Sequence, residues 1–151
     1  QLQDYTQLLN EATERALSHI NGLEYFITQA YPGKEYKLAE FGLNTITRRR
    51  NNNFAEMVEH CFIIHELVVD FEADLLAAGM PPTFPGQMLT AIQAMQTAMR
   101  RQRKFKLKRI ALTNQRINLF NHLYDTYRQV AKAARSIFHN NPTEMNMFTK
   151  L

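Results

Sequence analysis

The stretch MRRQRKFKLKRIALTN, Met99 to Asn114, decides the fold, because it either turns the chain between two helices or runs through the middle of one. It lies within 55 residues, Gln87 to Asn141, that hold neither glycine nor proline. A single helix of that length would measure about 80 Å at 1.5 Å per residue, about twice the length of either helix expected before it. Two helices, over residues 86–108 and 112–139, match those partners better. The break is then expected near residues 106–114, where Thr113 and Asn114 offer capping side chains. The competing reading is one continuous helix with an exposed or dimerising extension.

Seven cationic side chains, Arg100, Arg101, Arg103, Lys104, Lys106, Lys108 and Arg109, occupy the ten residues from Arg100. On a helix they project in nearly every direction, which suits a solvated helix end and complements the negative pole of the helix dipole.

Outward from this stretch, residues 4–31 place Tyr5, Leu9, Ala12, Ala16, Ile20, Leu23, Ile27 and Ala30 on one stripe at three-and-four spacing, the pattern of an amphipathic helix. Pro32-Gly33 ends it. Residues 34–52 form a long connection, KEYKLAEFGL followed by the polar run NTITRRRNNN. Such connections are usually functional or partly structured, and here Leu38, Phe41 and Leu43 are expected to pack back on the helices. Asn53 and Glu56 have capping-box spacing and open a helix over residues 54–78, which Gly79 closes. GMPPTFPG, Gly79 to Gly86, then makes a hairpin connection to an antiparallel neighbour. The last helix carries Ile117, Phe120, Tyr124, Tyr127, Ala131, Ala134 and Phe138 on one side and ends before His139. The tail side chains Met147, Phe148 and Leu151 are expected to dock weakly or to lead into a further segment.

The fold expected is all-α: a single-domain, antiparallel, up-and-down four-helix bundle with a long, partly structured connection between its first two helices. Composition agrees, with 151 residues, 45% hydrophobic, and only five glycines and five prolines. LAEFGL, Leu38 to Leu43, and AARSIFHNNPTEMNMF, Ala133 to Phe148, resemble segments of uncharacterised bacterial four-helix-bundle proteins. That resemblance implies an up-and-down bundle and carries no functional residue with it.

Charge divides the chain. Residues 1–99 carry six Lys/Arg against twelve Asp/Glu, and residues 100–151 carry twelve against two. This asymmetry marks either a polyanion-binding half or helix pairs that neutralise each other. A phosphate-binding surface would comprise Arg48, Arg49, Arg50, Arg100, Arg101, Arg103, Lys104, Lys106, Lys108 and Arg109, with only Phe105 interrupting the main run as a stacking group.

Within HCFIIHE, His60 to Glu66, the two histidines fall on different faces at 100° per residue. His65 and Glu72 sit on the apolar stripe, and Arg116 lies within the apolar arc of the last helix, so a buried polar cluster of His65, Glu72 and Arg116 is expected to set helix register. His19 lies on the edge of the first helix's apolar arc. Di-metal bundles need Glu-x-x-His on two helices; the motif is absent, and Glu56 with His60 points away from the core. Cys61 lies among apolar residues and reads as a core thiol. Met88, Met95 and Met99 with Ile92 read as adaptable core filler. No phosphate-binding glycine loop or Gly-x-Ser-x-Gly occurs. No catalytic residue, metal or cofactor is expected, and no apolar run reaches the roughly 20 residues needed to span a bilayer. The expected role is a non-enzymatic scaffold or oligomerisation module in the cytoplasm, partnered by itself or another protein, with nucleic-acid association as the alternative. Because the chain begins at Gln1 rather than methionine, an N-terminal segment is expected to have been removed.

Overall fold

The computed structural model describes residues 1–149, the side chains of Thr47, Arg48, Met145, Phe148 and Thr149 excepted. The described residues are all-helical, without a strand. In chain order the elements are α1 (Leu2–Ala30), α2 (Tyr36–Glu40), a 3-10 turn (Leu43–Thr45), α3 (Ile46–Asn52), α4 (Phe54–Asp70), α5 (Glu72–Ala77), α6 (Phe84–Ile137) and α7 (Pro142–Thr149). Two compact units result, Gln1–Phe105 and Lys106–Leu151.

In the first unit, α1 buries Leu9, Thr13, Ala16, Ile20, Leu23 and Ile27, the three-and-four stripe read from the sequence with one hydroxyl in it. Thr13 stays satisfied because its Oγ1 donates to the Leu9 carbonyl at 2.7 Å. Past the helix end, Gly33 takes φ +75°, which its lack of a Cβ permits.

The connection is more helical than its polarity predicts. NTITRRRNNN, expected as a polar run, supplies most of the 3-10 turn and α3, because Ile46 reaches the core at 5% exposure and gives that turn an anchor. Phe41 is fully buried, and Leu38 and Leu43 pack against the core as expected. Asn53 caps α4, its Oδ1 accepting from the Glu56 amide at 3.3 Å.

Residues 54–78, expected as one helix, are divided at Phe71, whose φ −103° and ψ 18° interrupt the helical path. The Phe71 ring is held by Phe41 at 5.5 Å and by Tyr31 at 6.3 Å, with the Lys37 ammonium 4.8 Å from its centroid. Those contacts from outside the helix compete with helical continuity, and α5 restarts at Glu72. It ends in a Schellman motif: the Met80 amide donates to Leu75, the Gly79 amide donates to Leu76, and Gly79 adopts φ +100°.

The opening part of α6 turns Met88, Ala91, Ile92 and Met95 into the core. The filler reading of the methionines agrees with this, and Met99 packs at the core edge. Phe84 meets Phe26 at 5.5 Å, and Phe105 meets Tyr5 at 5.0 Å. Gln102 Nε2 donates to Thr6 Oγ1 at 3.0 Å.

The break expected near residues 106–114 is absent: α6 runs unbroken for 54 residues, where helices over 86–108 and 112–139 were expected. Thr113 does not cap. Its Oγ1 donates back to the Arg109 carbonyl at 2.9 Å, a bond made within a continuing helix. Lys106, Lys108 and Arg109 are all exposed, so charges that radiate in every direction meet water on every side and carry no burial penalty.

Candidate interaction surface

The second unit holds the candidate site. From Leu107 to Val130 along α6 every residue is exposed. Among them are large apolar side chains: Leu112 at 64% exposure, Leu119 at 70%, Leu123 at 64%, Val130 at 50% and, further on, Ile137 at 69%. Spaced 7, 4, 7 and 7 residues apart, these five fall within an arc of about 40° at 100° per residue, a narrow seam along one side of the helix.

Beside the seam run Ile117, Phe120, Tyr124 and Tyr127, the face read from the sequence as a bundle core. They too are exposed, while Ala131 and Ala134, further along that face, are buried at 8% and 5%. That face is covered only toward its C-terminal end, and the Leu112 to Ile137 seam is open along its whole length.

Seven cations, Lys106, Lys108, Arg109, Arg116, Arg128, Lys132 and Arg135, share this part of α6 with a single carboxylate, Asp125. Arg116 is exposed, its guanidinium 5.9 Å from the Phe120 ring centroid. Arg116 is therefore not the buried side chain expected of it in the cluster of His65, Glu72 and Arg116. The continuous helix keeps Arg116 in solvent, and His65 and Glu72 are each half-buried in the first unit. Among the described residues neither of these two side chains makes a hydrogen bond or ion pair, and each keeps access to water.

The basic surface divides in the same way. Arg100, Arg101, Arg103, Lys104, Lys106, Lys108 and Arg109 are exposed, and among the described residues none is ion-paired. Arg50 is engaged elsewhere, its guanidinium donating to Glu14 Oε1 at 2.6 Å, and Arg49 is half-buried. The side chains of Arg48 and of Phe148 in the tail lie outside what is described, as does the whole of Leu151. Arg50 is thus committed to Glu14 rather than left free for phosphate.

Sequence reasoning missed a histidine that fixes the connection. His60 was assigned to the solvent side of α4, yet its Nε2 donates to the Gly42 carbonyl at 2.9 Å. Gly42 has φ +76°, and a Cβ there would collide with Nε2 and Cε1 of that ring. The signal was the glycine inside LAEFGL: a left-handed residue with no room for a side chain. His19, half-buried, lies 5.9 Å from Phe84, ring centroid to ring centroid.

Cys61 has no exposed surface, and burial pushes its thiol up to about 12. A thiol so placed supplies almost no thiolate at neutral pH, which fits a core side chain rather than a nucleophile. No described helix is long and apolar enough to cross a membrane. No protein-family model matches the chain, and no curated protein or solved structure is similar to it.

Proposed function

We propose that this protein is a non-enzymatic interaction module, a helical bundle that presents the apolar seam of α6 to a helical protein partner. The observation that carries it is the exposure of Leu112, Leu119, Leu123, Val130 and Ile137 in one narrow strip. Large contiguous apolar patches on soluble proteins mark docking sites, because leaving such area in water forgoes roughly 25 cal/mol for every Å². Heptad-like spacing selects a helix as the occupant, since a helix presents side chains at the matching period.

For the first unit we propose the up-and-down bundle, with α2 to α3 as its second member. Four contacts support it: Tyr31 with Asp74, Gly42 with His60, Arg50 with Glu14, and Tyr5 with Phe105. They fit segments that alternate in direction.

The test is a photo-reactive side chain in place of Leu123 in the full-length chain, with the polar-face position Asn118 as control. Protein adducts at position 123 and few at 118 are expected in the producing cells. Equal or absent adducts at the two positions would remove the reading.

A second reading has its own observation, the seven exposed cations from Arg100 to Arg109 without ion-pair partners among the described residues. Phosphate contacts need little more than such clustering. It predicts salt-dependent retention of DNA or RNA, lost when Arg100, Arg101, Arg103 and Lys104 become Ser. No retention at low salt would dismiss it.

A further inference from the structure

We infer that the helix received by this seam is the same seam of a second copy, laid antiparallel, with the two-fold axis between Tyr124 and Asp125. The inference rests on the reading of this face as an interaction surface and names its occupant. Three features of the strip point to it.

The first is symmetry. Continuing the three-and-four spacing through the exposed side chains gives Leu112, Arg116, Leu119, Leu123, Thr126, Val130, Ala133 and Ile137. Read backwards, the spacing is unchanged, so each position meets a defined mate in an antiparallel copy: Leu112 with Ile137, Arg116 with Ala133, Leu119 with Val130, Leu123 with Thr126. Three of these four layers then contain at least one large aliphatic side chain.

The second is charge. With seven cations against Asp125 alone, this part of α6 should repel its own copy. Yet the positions that flank the seam hold no Lys, Arg, Asp or Glu: Thr113, Phe120, Tyr127 and Ala134 on one edge, Gln115, His122, Gln129 and Ser136 on the other. Flanking positions are where like charges face each other across a helix pair and decide which partners are refused. Between Leu112 and Ile137 the cations Arg128, Lys132 and Arg135 stand on the outer side and Arg116 lies in the strip, while Lys108 and Arg109 precede it. Antiparallel pairing also brings Phe120 opposite Tyr127, an aromatic contact at the edge of the seam.

The third is Arg116 itself, the one charge within the strip. In a parallel pair it would face its own copy, placing two guanidiniums together in the seam. In the antiparallel pair it faces Ala133, the smallest side chain of the eight, which leaves it room to lie along Phe120 and reach water. A single polar residue at such a position fixes register and orientation. The five apolar side chains of the seam are 50–70% exposed and Phe120 is 60% exposed, which leaves them open to burial against a partner; a standard interface takes roughly 800 Å² from each side.

The full chain is tested by sedimentation equilibrium across the micromolar range and by crosslinking. Leu119→Cys and Val130→Cys variants carrying different tags are mixed and gently oxidised; Cys61, without exposed surface, stays out of the exchange. Dimers and a predominant mixed disulfide between the two variants are expected. Disulfides only between like variants would overturn the antiparallel arrangement. Leu119→Asp with Leu123→Asp should weaken dimerisation by at least about 100-fold, with helicity followed by circular dichroism, while the cysteine pair reports independently of that variant's folding. A chain monomeric at every concentration would overturn self-pairing. If photo-adducts with another protein still formed at position 123, the broader interaction reading would stand without it.

Discussion

The two parts of α6 carry apolar residues at similar spacing and meet opposite fates. Between Phe84 and Phe105, Met88, Ile92 and Met95 have no exposed surface; between Lys106 and Ile137, Leu112, Leu119 and Leu123 are each more than three-fifths exposed. Periodicity thus states that a face is built for burial and leaves open whether its cover comes from the same chain. The remaining differences are in the neighbours: the early part has α1 against it through Phe26, Tyr5 and Thr6, and the later part is exposed at every residue from Leu107 to Val130.

The sharpest way to break this contrast is to truncate one side chain in each part. Ile92→Ala should lower the unfolding free energy by about 2–5 kcal/mol, since it removes buried contacts and leaves a cavity. Leu119→Ala, measured in urea at a concentration where the chain is monomeric, should shift it by no more than about 0.5 kcal/mol. Equal losses would mean that the seam is packed within its own chain.

Next in size is Gly42→Ala, which strains a positive φ and drives a methyl into the His60 ring. A loss of about 1–3 kcal/mol in thermal or urea unfolding is expected. Adding His60→Ala should return only part of it, because relief of the collision leaves the dihedral strained. Arg116→Leu should act on the other side of the comparison, tightening self-association about 10-fold, or about 1.4 kcal/mol, while relaxing its orientation. Sedimentation and the mixed-disulfide yield would read the two effects separately.

The smallest effect concerns Tyr31, whose hydroxyl donates to Asp74 Oδ2 at 2.7 Å. Desolvation, then the Asp74 hydrogen bond and charge and the nearby Glu40 carboxylate, raise the phenol from 10.0 to about 12. Folding therefore favours the protonated phenol. Its contribution is whole below about pH 10 and is lost as pH rises through about 12. Tyr31→Phe should cost less than about 1 kcal/mol at neutral pH, a difference that shrinks across that alkaline window.

Much of the first unit was legible. The α1 stripe, the Asn53 cap, the glycine stops and the buried Phe41 all follow from local spacing and backbone freedom, which are properties of short segments. The break at Phe71 was not, because it depends on rings from Phe41 and Tyr31 that are distant in sequence. The candidate site was half legible. Ile117, Phe120 and Tyr124 were recognised as an apolar face, but matching helix lengths folded that face inward. The adjacent strip from Leu112 to Ile137 stood out only once its exposure was known. The proposed cluster failed at Arg116, which periodicity places on an apolar arc and the unbroken helix leaves in solvent.

A thiol with no exposed surface is also a timekeeper. Cys61 is the chain's one cysteine, so any alkylation of the unmodified protein must await an opening that parts α4 from the core around it. When reclosing outruns the reagent, the labelling rate reads the population of that opening, and when the reagent is in excess it reads how often the opening occurs. The first unit thus carries its own clock for internal motion, in a residue that takes no part in the seam on which partners would be sought.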